Sequence, residues 1–480
     1  MKLLARRRHG PAGAASLPPR PGHRRRGNAS TTPPPSLRLS ASARSARINL
    51  TTVTARPLHA VLLPPDGAGG RMTEALAAAL DGSGPAILPL DPGLPRARLG
   101  ALLEALRPSV VETAEGPERY VARQPGHARA PGVRPDTALV IATSGSTGPP
   151  KGTELSAAAL LASARASLRR VGAGPGERWL CCLPAFHIAG VQVLVRSLVA
   201  GTTPVIVPRL EPGALAAGGC AHVSVVPTQL RRLVDAGEDL TAVRTILLGG
   251  AAPPPGLVGA ARAAGGRVIT TYGMSETCGG CVYNGMPLDD VQVDTGPGGR
   301  IRIAGPVLFS GYRLRPDLTA QARDGRWFIT SDIGSIGPSG ELTVRGRADD
   351  VINTGGEKVV AAEVEAALGT CAGVRDAAVV GRPDPEWGEV VTAVVVPLDP
   401  SRPPRLADIR AHVRDRLPAY AAPAALLILP EMPMLPSGKP DREALRFQAQ
   451  SRAARTGGRT GTGRRWAHGT GTGTNSRAER

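Results

Sequence analysis

The sequence predicts an α/β protein: a large N-terminal domain with mainly parallel sheets plus an antiparallel subdomain, followed by a small, mobile α+β C-terminal domain. Strand-like apolar runs alternate with helical runs between residues 138 and 273, a pattern typical of parallel sheets with crossover helices. From about residue 296 the chain changes to short strands punctuated by glycine. After Asp349 it changes again, to a helix, two strands, a helix and a final strand.

The parallel part is defined by short runs of apolar and β-branched residues. These runs cover residues 138–143, 179–184, 203–208, 222–227, 243–250 and 267–273. Helical periodicity fills the intervals, and the first of these helices, predicted over 156–170, starts at Ser156, a residue type that caps helix N-termini. Ligand sites in such sheets lie at the carboxyl ends of the strands.

The net charge of +19 belongs to the ends of the 480-residue chain. Residues 1–47 contain eleven Lys and Arg and no acid, and residues 447–480 contain seven Arg and one Glu. Subtracting 11 and 6 leaves about +2 for the middle of the chain, which argues against a nucleic-acid-binding core. We therefore expect a disordered basic segment at 1–47 and a disordered tail at 447–480.

No secretory signal is predicted, because prolines interrupt the chain directly after the charged start. No apolar run reaches the roughly 20 residues that span a bilayer. The six cysteines form no regular framework, which favours reduced thiols and a cytoplasmic location.

Lysine is rare in this chain. Among 58 basic residues there are four lysines, at positions 2, 151, 358 and 439. Because a compact ammonium and a planar guanidinium are not interchangeable, a lysine in such a chain is a candidate functional residue.

The segment TSGSTGPPKG at 143–152 is predicted to leave a strand and enter a helix. Its glycines let backbone N–H groups approach a phosphate chain, its hydroxyls can donate to phosphate oxygens, and Lys151 adds a point charge. A Walker loop is excluded because the Gly-Lys-Ser/Thr order is missing. A flexible surface loop is the alternative interpretation.

This loop resembles the phosphate loop of the adenylate-forming (AMP-binding) superfamily of acyl-CoA synthetases, and further motifs of that family follow in order over roughly residues 58–445. They are LLGGAA (247–252), TYGMSET (271–277), TSDIGSI (330–336), GRADDVINTGGEKV (346–359) and PSGKPDREAL (436–445). The resemblance implies an ATP- and acid-binding domain over 48–348 and a C-terminal domain over 349–446. The stretch before the phosphate loop is shorter than in most members of the family.

The resemblance also implies site residues. Those expected to bind ATP are Thr143, Ser144, Gly145, Ser146, Thr147, Gly148, Lys151, Gly249, Gly250, Tyr272, Ser275, Asp332 and Arg347. Glu276 is expected to act in catalysis as the ligand of Mg²⁺, because a carboxylate beside a polyphosphate needs a cation between them. Asp349 is expected at the domain hinge, and Gly355 and Gly356 beside the coenzyme A tunnel.

Lys439 matches the catalytic lysine of this family. A preorganised ammonium would lower the electrostatic barrier when a carboxylate attacks the α-phosphorus. A solvated lysine in a Pro-Ser-Gly turn is the alternative, which the scarcity of lysine disfavours.

The acid can be inferred from two segments. FHIAGVQVLVRSLVAG (186–201) carries Gln192 and Arg196 with i, i+4 spacing, which fits either a solvent-facing stripe or a pocket wall. Together with HVSVVPTQL (222–230), this segment resembles the branch of the family that ligates o-succinylbenzoate to coenzyme A in menaquinone biosynthesis. The resemblance implies that Arg196 meets the carboxylate that is not activated, as an aromatic dicarboxylic acid requires. The remaining residues implied to bind the acid are His187, Ser224, Thr228 and Gly273.

The CGGC segment (278–281) could indicate metal or redox chemistry, but no second pair at ligand spacing accompanies it, so we interpret it as small pocket lining. Alternatives for the whole chain are an aryl or amino acid adenylation enzyme that loads a carrier protein, another acyl-CoA synthetase, or a non-catalytic protein that binds polyanions through its ends. The expected partners are the acid, ATP and coenzyme A, with no specific nucleic acid and no membrane insertion. A homodimer is left open.

Overall fold

The computed structural model describes residues 55–63, 69–120, 130–143, 150–435 and 440–457. The helices are α1 (Gly69–Asp81), α2 (Arg96–Leu106), α3 (Ala157–Val171), α4 (Ile188–Val199), α5 (Ala214–Ala217), α6 (Pro227–Asp235), α7 (Leu257–Ala263), α8 (Pro316–Gln321), α9 (Ala361–Leu368), α10 (Leu406–Arg414) and α11 (Arg442–Gly457). In this part of the chain no helix is both long and apolar enough to cross a membrane.

The strands form four sheets. In chain order they are β1 (Leu58–Val61), β2 (Ala86–Pro89), β3 (Val110–Thr113), β4 (Gly116–Arg119), β5 (Thr137–Thr143), β6 (Lys151–Ser156), β7 (Trp179–Cys181), β8 (Val205–Ile206), β9 (His222–Val225), β10 (Thr245–Leu248), β11 (Val268–Met274), β12 (Gly279–Tyr283), β13 (Met286–Pro287), β14 (Gln292–Thr295), β15 (Arg300–Ala304), β16 (Gly311–Tyr312), β17 (Arg323–Asp324), β18 (Trp327–Ile336), β19 (Leu342–Arg347), β20 (Val351–Thr354), β21 (Glu357–Val360), β22 (Val374–Asp384), β23 (Gly388–Pro397) and β24 (Ala425–Ile428).

Two seven-stranded sheets make up most of the chain, in the orders β16-β6-β5-β2-β1-β3-β4 and β13-β12-β11-β10-β9-β7-β8. The inner strands of both are parallel. Antiparallel strands close both edges of the first sheet and the β13 edge of the second, whose other edge strand, β8, is parallel to β7. Apolar residues of α1, α3 and α4 join residues of both sheets in one buried core. The predicted alternation of strands and helices is confirmed, including Ser156 Oγ, which accepts from Ala159 N at 3.1 Å at the start of α3.

The third sheet is the antiparallel subdomain expected from about residue 296. It runs β14-β15-β18-β17, and β19 pairs with the later part of β18, Asp332–Ile336. It places Asp332 of β18 directly opposite Arg347 of β19. This register matters because both residues are candidate site residues.

The fourth sheet, β21-β20-β23-β22 with β24 beside β23, forms the C-terminal α+β part. One buried cluster includes residues of α9 and α10, and a second includes residues of α11. The helix α11 continues to Gly457, beyond residue 446, where the sequence analysis placed the end of the C-terminal domain.

One local prediction is wrong. The glycine-rich segment does not enter a helix, because β6 starts at Lys151 and pairs antiparallel with β5, Thr143 opposite Lys151. The helix α3 begins after β6. The segment therefore joins two strands of a hairpin, and Lys151 is held by β-sheet pairing.

Candidate active site

Candidate residues gather where several strands end. Thr143 ends β5, Gly249 follows β10, and Tyr272 lies near the end of β11. Thr143 Oγ1 donates to the Lys151 carbonyl at 3.5 Å. β5 belongs to the first sheet and β10 and β11 belong to the second. Each residue therefore lies near the carboxyl end of a strand of its own sheet, which is where open α/β sheets bind ligands.

A polar chain links β11 to the antiparallel subdomain. Tyr272 Oη donates to Asp332 Oδ2 at 2.7 Å, and Arg347 Nη1 lies 3.6 Å from Asp332 Oδ1. Arg347 Nη2 also donates to Asp349 Oδ2 at 2.8 Å. Burial and the neighbouring Asp332 carboxylate raise the pKa of Tyr272, so its hydroxyl stays protonated and donates. Tyr272 and Arg347 thereby orient the Asp332 carboxylate.

A second cluster surrounds Glu276. Tyr312 Oη, from β16, donates to Glu276 Oε1 at 2.8 Å. The Lys151 ammonium lies 5.5 Å from the centre of the Tyr312 ring, within the range of a cation–π contact. Burial, followed by the Glu276 charge, raises the pKa of Tyr312. One tyrosine therefore connects the candidate metal ligand with the candidate phosphate-binding lysine.

Two glycines lie where any side chain would clash with neighbouring atoms. A Cβ at Gly273 would lie 2.0 Å from the Gly279 carbonyl oxygen, at the bulge where the register of β11 and β12 shifts. A Cβ at Gly249 would lie 2.3 Å from Thr271 Oγ1. Gly250 has φ +85°, a left-handed conformation that favours glycine. Gly273 shapes the backbone from which Tyr272, Ser275 and Glu276 project, and Gly249 and Gly250 shape the segment that follows β10.

The acid-binding candidates Arg196 and Ser224 are both buried and in contact. Arg196 is 5% exposed, its Nη2 donates to Ser224 Oγ at 2.8 Å, and its guanidinium lies 4.3 Å from the centre of the Trp179 ring. Its Nε has no hydrogen-bond partner among the described residues, and no carboxylate of that set lies within ion-pair distance of it. Burial lowers the pKa of Arg196. A buried guanidinium that lacks an acidic partner is costly, and it is suited to bind an anionic ligand.

Behind Arg196 lies a supporting network. His222 stacks on Trp179 with ring centres 4.6 Å apart, and its Nε2 lies 3.2 Å from Glu177 Oε2. Arg244 Nη2 donates to the same carboxylate oxygen at 2.6 Å. Burial lowers the pKa of His222. The network fixes the aromatic surface on which the Arg196 guanidinium rests.

Several other predicted residues occupy different settings. His187 is the residue that precedes α4, and its ring contacts Phe186. Thr228 is exposed in the first turn of α6, whereas Ser224 is buried in β9. Gly355 and Gly356 have φ of +59° and +87° between β20 and β21, and Gly355 packs against Trp387. Ser144, Gly145, Ser146, Thr147, Gly148 and Lys439 lie outside the described residues.

The CGGC thiols belong to the core and not to a pocket wall. Cys278 and Cys281 are both 0% exposed. Burial raises the pKa of Cys281 to about 12 and also raises that of Cys278. Neutral thiols of this kind are poor metal ligands and poor nucleophiles.

The sequence analysis missed the group that anchors α11. Arg442 Nε lies 3.2 Å from Asp350 Oδ2, and Arg446 Nη2 lies 2.9 Å from Asp350 Oδ1. Arg442 also pairs with Glu365 at 2.9 Å. These contacts fix the helix that follows Lys439 to the residue next to Asp349.

A cavity of about 410 Å³ lies away from these groups. It is lined by Arg170, Arg262, Arg267 and residues at the start of β11 and the end of β12. The three arginines donate to backbone carbonyls of Pro287, Val268 and Val171. Because it lies at the amino end of β11, we do not assign it to the nucleotide.

Tyr312 is the other functional candidate that the sequence analysis missed. The structure reveals it through the pairing of β16 with β6, which joins segments separated by about 150 residues of sequence. No local pattern marks it, apart from its being one of five tyrosines in the chain.

Comparison with known proteins agrees with this geometry. Residues 71–301 match the family model of AMP-binding enzymes and residues 363–439 match that of the AMP-binding enzyme C-terminal domain. A probable 2-succinylbenzoate–CoA ligase of Mycobacterium tuberculosis (strain H37Rv) is 47% identical over 326 residues, which cover 65% of this chain and 84% of that protein. The 2-succinylbenzoate–CoA ligase of Bacillus pumilus is 33% identical, over 65% of this chain and 68% of that protein.

Solved structures show the same relationship. The o-succinylbenzoate CoA synthetase of Bacillus subtilis in complex with the acyl-adenylate intermediate superimposes with a TM-score of 0.70 at 27% identity, covering 81% of this chain and 88% of that one. ATP-bound MatB of Rhodopseudomonas palustris, at 23% identity and a TM-score of 0.72, shares the fold, with 82% of this chain and 89% of that one covered. From these matches, the chain belongs to the family of AMP-binding enzymes that includes the 2-succinylbenzoate–CoA ligases.

Proposed function

We propose that this chain is an o-succinylbenzoate:CoA ligase that forms the acyl-adenylate with release of pyrophosphate and then transfers the acyl group to coenzyme A with release of AMP. The observation that carries the choice of acid is Arg196. It is a 5%-exposed guanidinium held by Ser224 and Trp179 and lacking an acidic partner among the described residues. A dicarboxylic acid supplies the missing carboxylate when its other carboxyl group is activated.

The nucleotide site supports the adenylation step. Asp332, oriented by Tyr272 and Arg347, offers two carboxylate oxygens to the ribose. Lys151 lies beside Tyr312 and Glu276, where the phosphates would pass. A carboxylate oxygen of the acid attacks the α-phosphorus, the α–β anhydride bond breaks, and pyrophosphate leaves. The thiol sulfur then attacks the acyl carbon, and AMP leaves.

Glu276 fits a magnesium ligand. Mg²⁺ sites in nucleotide-binding enzymes use one or two carboxylates together with substrate phosphates, and Glu276 is a partly exposed carboxylate oriented by Tyr312. Among the described residues there is no cluster of three or more acidic, His or Cys side chains that could hold a metal without the nucleotide. When bound, the ion neutralises phosphate charge during attack.

Domain rotation completes the proposal. Asp349 lies in the short turn Ala348–Asp350 between the antiparallel subdomain and the fourth sheet, and Arg347 pairs with it. In one pose Lys439 would assist adenylation, and in the other the Gly355–Gly356 turn would face the thiol. Lys439→Ala should abolish adenylate formation but leave thioester formation from preformed adenylate largely intact; equal loss of both steps would refute this division.

The function is tested by incubating the protein with o-succinylbenzoate, ATP and Mg²⁺ and coenzyme A, with mass detection of the thioester. Pyrophosphate exchange with a panel of aryl and amino acids, followed by coenzyme A against holo-carrier protein, tests the carrier-loading alternative. A chain that exchanges pyrophosphate with amino acids but not with o-succinylbenzoate would exclude the proposal. Deleting residues 1–47 and 458–480, which leaves α11 whole, should leave activity intact, contrary to a polyanion-binding protein.

Arg196→Ala tests the acid site. We expect a KM for o-succinylbenzoate raised by about 100-fold, near the lower end of the roughly 2–5 kcal/mol that removing one partner of a buried charge pair costs, with little change in the KM for ATP. The matched control is Arg262→Ala, because Arg262 also lies in the last turn of its helix but is exposed. Equal effects on both substrates would remove the assignment.

Two further points belong to the proposal. The co-substrates ATP and coenzyme A favour a cytoplasmic location, which cell fractionation can check. A homodimer stays a prediction that light scattering can check.

A further inference from the structure

Gln192 is a buried amide with no protein partner. It lies in the middle of α4 and is 3% exposed. Neither its Oε1 nor its Nε2 has a hydrogen-bond partner among the described residues. Buried amides are almost always hydrogen-bonded, because an unpaired amide loses its hydrogen bonds to water on burial and forms none with the protein to replace them. A methionine would fill the same space without this cost, so the amide indicates a ligand.

The position of Gln192 indicates which part of a ligand it meets. A Cβ at Gly279 would lie 3.4 Å from Gln192 Cγ. Gly279 pairs with Met274, between the acid-site candidate Gly273 and the phosphate-site candidate Ser275. Arg196 lies one turn further along α4, roughly 6 Å away by helical rise. Gln192 therefore stands between the end of the pocket where the acid is activated and the guanidinium that binds its second carboxylate.

The chemistry of the proposed substrate has a group for this position. In o-succinylbenzoate a ketone lies on the bond path between the two carboxyl groups, and a ketone oxygen accepts hydrogen bonds but donates none. We propose that Gln192 is a specificity-determining residue whose Nε2 donates to this ketone oxygen. Its Oε1 is left to accept from water or from the Arg196 Nε–H, which also lacks a partner among the described residues. The assignment rests on the proposed function.

The experiment compares three acids on the full-length enzyme. They are o-succinylbenzoate, 4-(2-carboxyphenyl)butanoate, which lacks the ketone, and 4-oxo-4-phenylbutanoate, which lacks the second carboxylate. The enzymes are wild type, Gln192→Met, Gln192→Leu and Arg196→Met. The measurements are kcat/KM by pyrophosphate release and Tm.

We expect the wild type to prefer o-succinylbenzoate over the acid without the ketone by roughly 10-fold, as for one neutral hydrogen bond with a buried donor. Gln192→Met should lose roughly 10-fold on o-succinylbenzoate and less than about 2-fold on the acid without the ketone. Its Tm should rise, because the variant no longer buries an unpaired amide. Arg196→Met should show the complementary pattern, with its loss confined to acids that carry the second carboxylate.

The outcomes separate the two proposals. If the wild type does not use o-succinylbenzoate, the proposed function fails and the Gln192 assignment fails with it. If the wild type uses it but Gln192→Met and Gln192→Leu lose activity equally on both keto and non-keto acids, or their Tm falls, Gln192 is structural and only this inference is overturned.

Discussion

Tyr312 offers a direct test of how the site holds Glu276. Its hydroxyl donates to Glu276 Oε1 at 2.8 Å and its ring faces the Lys151 ammonium at 5.5 Å. Tyr312→Phe removes the hydroxyl and keeps the ring, so it separates the hydrogen bond from the cation–π contact. Tyr312→Leu removes both.

The magnitude follows from the type of bond. A hydrogen bond to a charged group contributes about 1.5–3 kcal/mol, and Tyr312 is partly buried, so solvent replaces part of that. What remains is the cost of holding the Glu276 carboxylate in a single orientation without the tyrosine hydroxyl, about 0.5–1.5 kcal/mol for an immobilised side chain. We therefore expect Tyr312→Phe to lower kcat/KM for MgATP by about 3- to 10-fold and to raise the Mg²⁺ concentration required by a similar factor. Loss of the cation–π contact should add about 0.5–1 kcal/mol in Tyr312→Leu.

The assay is pyrophosphate exchange titrated with Mg²⁺, with binding of Mn²⁺ and ATP followed by electron paramagnetic resonance as a readout independent of turnover. Tyr272→Phe is the matched control, because Tyr272 also donates to a carboxylate, Asp332, at 2.7 Å. It should weaken ATP binding at every Mg²⁺ concentration without shifting the Mg²⁺ midpoint. The reasoning fails if both phenylalanine variants shift the Mg²⁺ midpoint equally, or if Tyr312→Phe leaves it unchanged.

Three other predictions concern the framework. Gly273→Ala places a Cβ 2.0 Å from the Gly279 carbonyl oxygen and should lower the free energy of unfolding, measured in urea titrations, by about 1–3 kcal/mol. The control Gly259→Ala, in α7 with open space around it, should raise the free energy of unfolding by about 0.5–1 kcal/mol. Equal effects would show that the bulge is not rigid. Arg442→Met removes the partner of Glu365 and one of the two partners of Asp350 and should cost about 1–3 kcal/mol of unfolding free energy, whereas Arg405→Met, at a fully exposed pair, should leave stability nearly unchanged. Burial raises the pKa of Cys181 to about 11 and that of Cys182 to about 12. The folded chain therefore keeps protons that the unfolded chain loses above about pH 9, so the free energy of unfolding should fall as pH rises from there. Iodoacetamide at pH 8, followed by mass spectrometry, should label these thiols quickly in urea and slowly in the native protein, and rapid labelling of the native protein would contradict their buried positions.

The parallel part of the fold could be predicted because each of its strands is marked by a short sequence pattern of its own. The runs that became β5, β9, β10 and β11 are short, apolar and bounded by Gly or Pro. Where a local signal was ambiguous the prediction failed. The stretch that became β6 follows a glycine-rich segment that suggested a helix start, but pairing with β5 outweighs that preference.

The chain after residue 296 shows the opposite situation. The change to Gly-punctuated strands was visible in the sequence, but the return of β16, with Tyr312, to the first sheet and the partners of Arg313 were not. Arg313 is 2% exposed and donates to the carbonyls of Arg107 and Pro131, which lie about 200 residues earlier in the chain. Contacts at such separation depend on how sheets pack, and no periodicity in one segment encodes them.

The acid site lies between these two cases. Sequence spacing alone leaves Gln192 and Arg196 as either a solvent-facing stripe or a pocket wall, and a solvent-facing stripe would bring water to both side chains. The structure buries both of them and stacks the guanidinium on Trp179. A helix whose interior-facing turn carries an unpaired amide and an unpaired guanidinium nitrogen is less stable than one carrying apolar residues there. A protein can keep such a destabilising arrangement when a bound ligand supplies the missing partners. An acid with a hydrogen-bond acceptor between two carboxylates supplies a partner to both residues.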